Sequence, residues 1–372
     1  MSSSVSFTQA DHEFMAQAFR LAEKGLYSTD PNPRVGCVIV KNDKIIGEGW
    51  HQKAGEAHAE VNALNEAGND AKGATAYVTL EPCCHQGKTP PCTDALIKAG
   101  IHRVVAAMQD PHDKVAGKGL KLLQASGIDT QVALMQAQAE ALNPGFIKRM
   151  KSGRPFVRAK LAMSVDGRTA MASGESKWIT SDAARADVQH WRARSSVIMT
   201  GVGTVLADDP SMTARIDGVE EATTRVVIDS NLSMSEKAKL LSVPGNTIVM
   251  TTCDEDDEIT RLQNAGAEVI EVPSHHGSVN LGAVLDELAK EQVNEVLLET
   301  GATLSGAMLQ AGLIDEMIIY MAPVLMGSEA RPLFNLPGMA SMQQKISLDI
   351  SDIRSFGKDI RIMAKPVIEQ TV

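Results

Sequence analysis

Two short stretches constrain the first part of this chain more than any others: His58-Ala59-Glu60, and Pro82-Cys83 followed by a further thiol at Cys92. Between them lie a helix-periodic segment, His58 to Ala67, stopped by Gly68, and a strand-like segment, Thr75 to Leu80. The order predicts His58 in a first helical turn, then a strand, then Pro82 at a first helical position with Cys83 at that helix N-terminus. One imidazole and two thiols suit Zn²⁺, and three protein ligands leave a fourth position for water, whose pKa the metal lowers. Glu60 is placed to move that water's proton rather than to bind the metal. Each piece alone is weak, since His-x-Glu occurs on many surface helices and buried cysteines are common. Together, in this order, they specify a metal site. The second thiol departs from a C-x-x-C pattern, because residue 86 is Gln and the next usable cysteine is Cys92. Cys84 neighbours a ligand position but points elsewhere, so it reads as a packing thiol.

The surrounding pattern is an alternation of strands and helices. Phe14, Ala18, Leu21 and Ala22 recur at helical spacing between Asp11 and Lys24. Val35 to Val40 reads as a buried strand that turns at Lys41-Asn42-Asp43 into Lys44 to Glu48. Cys92 precedes a helical segment, Asp94 to Lys98, stopped by Gly100, and Arg103 to Met108 is a further strand. This alternation implies a layered α/β domain. Asn143 to Pro155 combines turn formers with four basic residues and reads as a junction, which divides the chain into 1–152 and 153–372. Beyond it, strands are expected at 157–163, 197–200, 225–228, 247–251, 268–272, 295–298 and 317–321. Helices are expected at 182–194, 281–292 and 302–311.

Size and charge narrow the classes. A chain of 372 residues suits two domains. With 36 basic and 46 acidic residues, a formal charge of −10, a general nucleic-acid or anionic-membrane surface is disfavoured. No apolar run reaches transmembrane length. Met1 to Phe7 is short and Ser-rich, unlike a signal peptide. Five cysteines, three of them in one short segment, fit a reduced cytoplasmic chain with a metal site better than a disulfide scaffold.

The run Thr79-Leu80-Glu81-Pro82-Cys83-Cys84-His85-Gln86-Gly87-Lys88-Thr89-Pro90-Pro91-Cys92, with Pro31-Asn32-Pro33, Val35-Gly36 and Gly49-Trp50-His51, resembles the deaminase half of a bifunctional riboflavin-biosynthesis family. That family joins diaminohydroxyphosphoribosylaminopyrimidine deaminase to 5-amino-6-(5-phosphoribosylamino)uracil reductase. The resemblance implies a cytidine-deaminase-like α/β/α domain. It also implies His58, Cys83 and Cys92 as Zn²⁺ ligands and Glu60 as proton shuttle. Asn32 would lie beside the pyrimidine, with His85 and Lys88 toward the ribosyl phosphate. No spacing recruits His51, His102, His112, His190, His275 or His276, which read as surface or packing histidines.

In the second half, Gly201-Val-Gly203-Thr204 and Glu299-Thr-Gly301-Ala-Thr303 each sit where a strand passes into a helix, a place suited to phosphate. Neither is a G-x-G-x-x-G fingerprint, so an ordinary Rossmann domain is disfavoured. Taken with Ser173 to Thr180, the Arg192 segment, Thr204 to Pro210, Met212 to Arg215 and Val227 to Ser230, these stretches resemble the family's reductase half, a dihydrofolate-reductase-like α/β domain. The resemblance implies NADPH contacts at Ala162, Trp178, Thr204, Asp208, Ser230 and the turn Gly301, Ala302, Thr303, Leu304, Ser305, Gly306 and Ala307. It implies substrate contacts at Ser176, Arg192, Met212, Arg215 and Glu299, with the two arginines suited to clamp a phosphate. Asp208 is the candidate acid or orienting group for hydride transfer to the ribosyl carbon. The expected activity is therefore deamination of a phosphoribosylated diaminopyrimidinone and reduction of its ribosyl chain, by a homo-oligomer in the cytoplasm. Two other readings stand beside it: a deaminase of free nucleosides or tRNA, and a zinc-stabilised binding module with a nucleotide-sensing domain. The thiol spacing and acidic charge weigh against the first. Glu60, a free carboxylate beside a three-ligand set, weighs against the second.

Overall fold

The structure is a computed structural model that describes residues 6–87, 89–219 and 222–367, and it divides into two compact units, Met1–Gly153 and Arg154–Val372. Lys88 and the N-terminal Met1–Val5 lie outside the described residues.

In the first unit, α1 (Gln9–Glu23) begins at a capping box. The Thr8 hydroxyl accepts the Asp11 N–H, and the Asp11 carboxylate accepts the Thr8 N–H at 2.8 Å. β1 (Gly36–Lys41) and β2 (Lys44–Trp50) form the expected hairpin. Its two turn residues, Asn42 and Asp43, sit at φ of 52° and 57°, the left-handed pair such tight turns need. There follow α2 (Ala59–Ala67), β3 (Thr75–Val78), α3 (Cys92–Ala99), β4 (Arg103–Ala106), α4 (Lys118–Ala125), β5 (Asp129–Val132), α5 (Gln136–Leu142) and α6 (Pro144–Ser152). The sheet order is β2-β1-β3-β4-β5, with β3, β4 and β5 parallel and β1 antiparallel to both of its neighbours.

β1 shows how this sheet is sandwiched. Cys37 and Ile39 pack with Ala59, Ala63 and Leu96 on one face, and Val38 and Val40 pack with Met15, Ala18 and Phe146 on the other. Full burial of Val38 and Ile39 stabilises the fold by about 1.5–3 kcal/mol each. Gly47 and Gly49 let α2 lie directly on β2, since a Cβ at Gly49 would stand 2.3 Å from the Ala59 carbonyl oxygen and one at Gly47 2.2 Å from that of Ala63. This contact fixes the start of α2, and with it His58 and Glu60.

Two expectations need correction here. Cys83 is not at a helix N-terminus, because the described residues from 81 to 91 are irregular and the next helix starts only at Cys92. Gly87 and the pair Pro90-Pro91 deny that segment a regular hydrogen-bond ladder. Residues 144–152, read as junction loop, are helix α6: Pro144 serves as N1, Gly153 ends it in the left-handed region, and Phe146, Ile147 and Met150 pack into the first unit's core.

The second unit contains β6 (Phe156–Ser164), β7 (Arg168–Ala170), α7 (Asp182–Arg194), β8 (Val197–Gly201), α8 (Val202–Asp208), β9 (Thr224–Ile228), α9 (Lys239–Ser242), β10 (Thr247–Thr251), α10 (Asp256–Asn264) and β11 (Ala267–Glu271). The small strands β12 (Ser274–His275) and β13 (Ser278–Val279) pair with each other, and then come α11 (Leu281–Lys290), β14 (Glu295–Leu298), α12 (Ala302–Gln310) and β15 (Glu316–Ala322). β16 (Arg331–Pro332) pairs with β7, and β17 (Ser347–Phe356) with β18 (Asp359–Val367) closes one side of the main sheet. That sheet has the order β11-β10-β9-β8-β14-β6-β15-β18-β17, parallel from β11 to β15 and antiparallel at β18 and β17. Its core is a continuous aliphatic cluster in which Val157, Met199, Val226, Leu285, Val296 and Met317 are fully or almost fully buried.

Candidate metal centre and nucleotide cradle

His58 is the N-cap of α2, one residue before the helix proper, and Cys92 is the first residue of α3. Nδ1 of His58 lies 3.2 Å from Cys92 Sγ and 3.6 Å from Cys83 Sγ, and the three donor atoms are within 4.8 Å of one another. The Cys92 backbone N–H donates to Cys83 Sγ at 3.3 Å. The neighbouring Cys92 and His58 hold the Cys83 thiol below its ordinary range, whereas the Cys92 thiol beside it is pushed up. One nitrogen and two sulfurs at this spacing fit Zn²⁺. Cys84 stands apart, its Sγ directed at the Lys114 carbonyl at 3.9 Å.

Glu60, in the first turn of α2, is 4% exposed, and burial pushes its carboxyl up to about 6. A carboxyl raised toward neutrality in this way can both accept and return a proton. It is not one of the three clustered donors.

The structure recruits a histidine that sequence reasoning set aside. His51 is 3% exposed, its ring centroid 5.2 Å from that of His58. Its Nδ1 lies 3.2 Å from the Ala57 carbonyl and its Nε2 3.0 Å from Nδ2 of Asn32. Donation of Nδ1–H to Ala57 leaves Nε2 to accept from the Asn32 amide, which fixes the way Asn32 faces. His112, also set aside, stacks on His85 at 6.2 Å, and Nδ1 of His85 is buried without a partner among the described residues. The signal for His51 was its place in the quoted Gly49-Trp50-His51 pattern; for His112 there was none.

In the second unit β8 and β14 are parallel neighbours, so the turns that follow them open on one edge of the sheet. Ligands of open α/β sheets bind at such an edge. Gly201 caps α8 and Gly301 caps α12, neither with a side-chain hydrogen bond, and a Cβ at Gly203 or Gly301 would meet open space. The uncapped N–H groups and open approach at Gly301 fit an anionic phosphate. Ser230 lies just beyond β9 on the same edge, its hydroxyl accepting the Val279 N–H at 3.1 Å.

Beside this edge, Glu299 is held by Arg192, Nε to Oε1 at 2.6 Å and Nη2 to Oε2 at 3.0 Å, and by Lys160 Nζ at 3.0 Å. Lys160 was not singled out from sequence, because its partner is far along the chain. Arg192 Nη1 also donates to the Thr213 carbonyl at 3.1 Å, while Arg215 Nη1 reaches the Thr213 hydroxyl at 3.3 Å, so both arginines border one residue. Arg215 is exposed, Met212 is buried, and Ser176 is half-buried. Trp178 is 71% exposed, with the Arg185 guanidinium 4.5 Å over its ring. Asp208 pairs with Lys177 at 3.5 Å. Ala162 lies within β6, and the Ser305 hydroxyl in α12 is buried without a partner among the described residues.

Known proteins match this chain in both of its units. Residues 8–108 match the family described as cytidine and deoxycytidylate deaminase zinc-binding region, and residues 155–362 match the RibD C-terminal domain. Riboflavin biosynthesis protein RibD of Escherichia coli is 49% identical over 362 residues, covering 94% of this chain and 98% of the relative. The chain belongs to the RibD family. RibD of Aquifex aeolicus is 36% identical, covering 96% of this chain and 99% of its own. Among solved structures, RibD of Acinetobacter baumannii superposes with a TM-score of 0.90 at 46% identity, covering 97% of this chain and 99% of that one. The diaminohydroxyphosphoribosylaminopyrimidine deaminase/5-amino-6-(5-phosphoribosylamino)uracil reductase of Thermotoga maritima superposes at 0.85 with 31% identity, covering 96% and 99%. The two-domain α/β architecture read from the sequence is therefore that of RibD proteins.

Proposed function

We propose that this chain is a bifunctional enzyme of riboflavin biosynthesis. It deaminates 2,5-diamino-6-(5-phosphoribosylamino)pyrimidin-4(3H)-one with Zn²⁺, then reduces the ribosyl chain to ribityl with NADPH. The observation that carries the reading is the His58, Cys83 and Cys92 cluster beside a buried Glu60, in a chain related to RibD over almost its whole length. Zn²⁺ when bound supplies an activated water. Glu60 holds the proton and passes it to the pyrimidine ring nitrogen and then to the departing ammonia. Asn32, oriented by His51, faces the pyrimidine, and His85 with Lys88 binds the ribosyl phosphate.

In the reductase, NADPH supplies the hydride. Its contacts are Ala162, Trp178, Thr204, Asp208, Ser230 and the turn Gly301–Ala307. Ser176, Arg192, Met212, Arg215 and Glu299 hold the substrate, and Asp208 orients or protonates at the reacting carbon. Residues 1–152 form the deaminase and 153–372 the reductase. The enzyme is a cytoplasmic homo-oligomer, a location supported by five free cysteines among the described residues.

Glu60→Gln tests the deaminase assignment. It should keep the metal yet slow ammonia release about 10²-fold or more, while a near-wild-type rate would sink the assignment. Cys83→Ser or Cys92→Ser should lose metal and activity together, and Cys84→Ser should keep both.

A further inference from the structure

The stretch between Cys83 and Cys92 is long for two thiols that converge on one imidazole, and its course accounts for the length. The chain leaves Cys83, turns where the Gly87 N–H donates to the Thr89 carbonyl at 3.2 Å, and returns to begin α3 at Cys92. That turn sets the Thr89 hydroxyl 3.3 Å from Nε2 of His58. The other ring nitrogen, Nδ1, faces the two sulfurs. A neutral imidazole carries one ring proton, so a ring that gives Nε2–H to an acceptor keeps the Nδ1 lone pair free.

We propose that Thr89 is a positioning residue of the metal centre: its hydroxyl oxygen accepts Nε2–H of His58 and holds the ring in the tautomer and orientation that offer Nδ1 to the metal. The proposal rests on the zinc-deaminase reading and deepens it by giving the Cys83–Cys92 spacing a purpose. In a C-x-x-C pair only two residues separate the thiols, too few for a turn that reaches back over the histidine. Metal-ligating histidines generally donate their second ring N–H to a carboxylate, carbonyl or water, and here a hydroxyl takes that place.

The test uses the full-length chain with Thr89→Val, which keeps the branched shape and removes the acceptor, and Thr89→Ser, which keeps the hydroxyl. Zn²⁺ affinity is read by competition with a chromophoric chelator, and ligand geometry by the absorption spectrum of the Co²⁺-loaded chain. Thr89→Val should lose about 10–100-fold in Zn²⁺ affinity and shift the Co²⁺ bands, while Thr89→Ser stays within about threefold of wild type. NADPH oxidation on the already deaminated pyrimidine should be unchanged in both, which separates the effect from loss of fold. Wild-type Zn²⁺ affinity in Thr89→Val overturns the proposal, as does an equal loss in both variants, which would make Thr89 a matter of loop packing. A wild-type chain that binds no Zn²⁺ would overturn the deaminase reading itself, and the proposal with it.

Discussion

The guanidinium of Arg192 grips the Glu299 carboxylate at two points, 2.6 and 3.0 Å, across 107 positions of sequence. Burial alone would raise the Glu299 carboxyl, but the charges of Arg192 and Lys160 outweigh it and hold the group well below the usual carboxylate range. Arg192 therefore meets any substrate already paired, whereas Arg215 is exposed and its guanidinium reaches the Ser211 and Thr213 hydroxyls at 3.4 and 3.3 Å.

The two arginines should behave differently when removed. Arg215→Ala should raise KM for the phosphorylated substrate with little change in melting temperature, because a lost charge-assisted contact costs on the order of 1.5–3 kcal/mol. Arg192→Ala should raise KM and also lower the melting temperature, since among the described residues it leaves the buried Glu299 with Lys160 alone to offset it. Steady-state kinetics and calorimetry check both. Equal melting temperatures for the two variants would mean that the Arg192–Glu299 pair has no structural weight.

Asp110 gives a pH prediction. It is 8% exposed, and burial pushes its carboxyl up to about 7 from an ordinary value of 3.8. The fold thus binds this proton more tightly than the unfolded chain does. The stabilisation is fully present below about pH 3.8 and is lost as pH rises through about 7, a swing on the order of a few kcal/mol. Asp110→Asn, which still offers an acceptor to the His112 N–H, should therefore be more stable than wild type at pH 8, with the gain shrinking toward pH 4. Denaturant unfolding at both pH values measures it, and a gain that grows as pH falls would refute the assignment.

Helix α6 sets where the chain can be divided. A fragment ending at Gly153 should fold, hold Zn²⁺ and release ammonia without oxidising NADPH. One ending at Asn143 should be markedly less stable, because it loses Phe146, Ile147 and Met150 from the core, about 1.5–3 kcal/mol for a fully buried apolar side chain. Equal stability of the two fragments would place α6 outside the first unit.

What the sequence showed and what it hid follow from the range of the interactions. The β1–β2 hairpin, α7, β10 and β14 were legible because apolar periodicity and turn residues are local signals. Helix α6 was hidden because Pro and Gly at its start read as a break, although Pro is favoured at N1. Strands β17 and β18 were missed because β17 is almost wholly exposed and lacks a clean alternation of apolar and polar residues. In the site, His58, Glu60, Cys83 and Cys92 announce themselves by residue type and order. Lys160 does not, and His51 does so only through its place in the Gly49-Trp50-His51 pattern, because their importance lies in Glu299 and Asn32, partners 139 and 19 positions away that the fold brings close.

The most direct test is to strip the metal from the intact chain with a chelator and follow two assays side by side: ammonia release from the diaminopyrimidinone, and NADPH oxidation on the already deaminated pyrimidine. The account predicts that ammonia release is lost and returns with added Zn²⁺, while NADPH oxidation continues unchanged throughout, because the clustered donors all lie in the first unit. Ammonia release that survives removal of the metal, or NADPH oxidation that falls with it, would contradict the account.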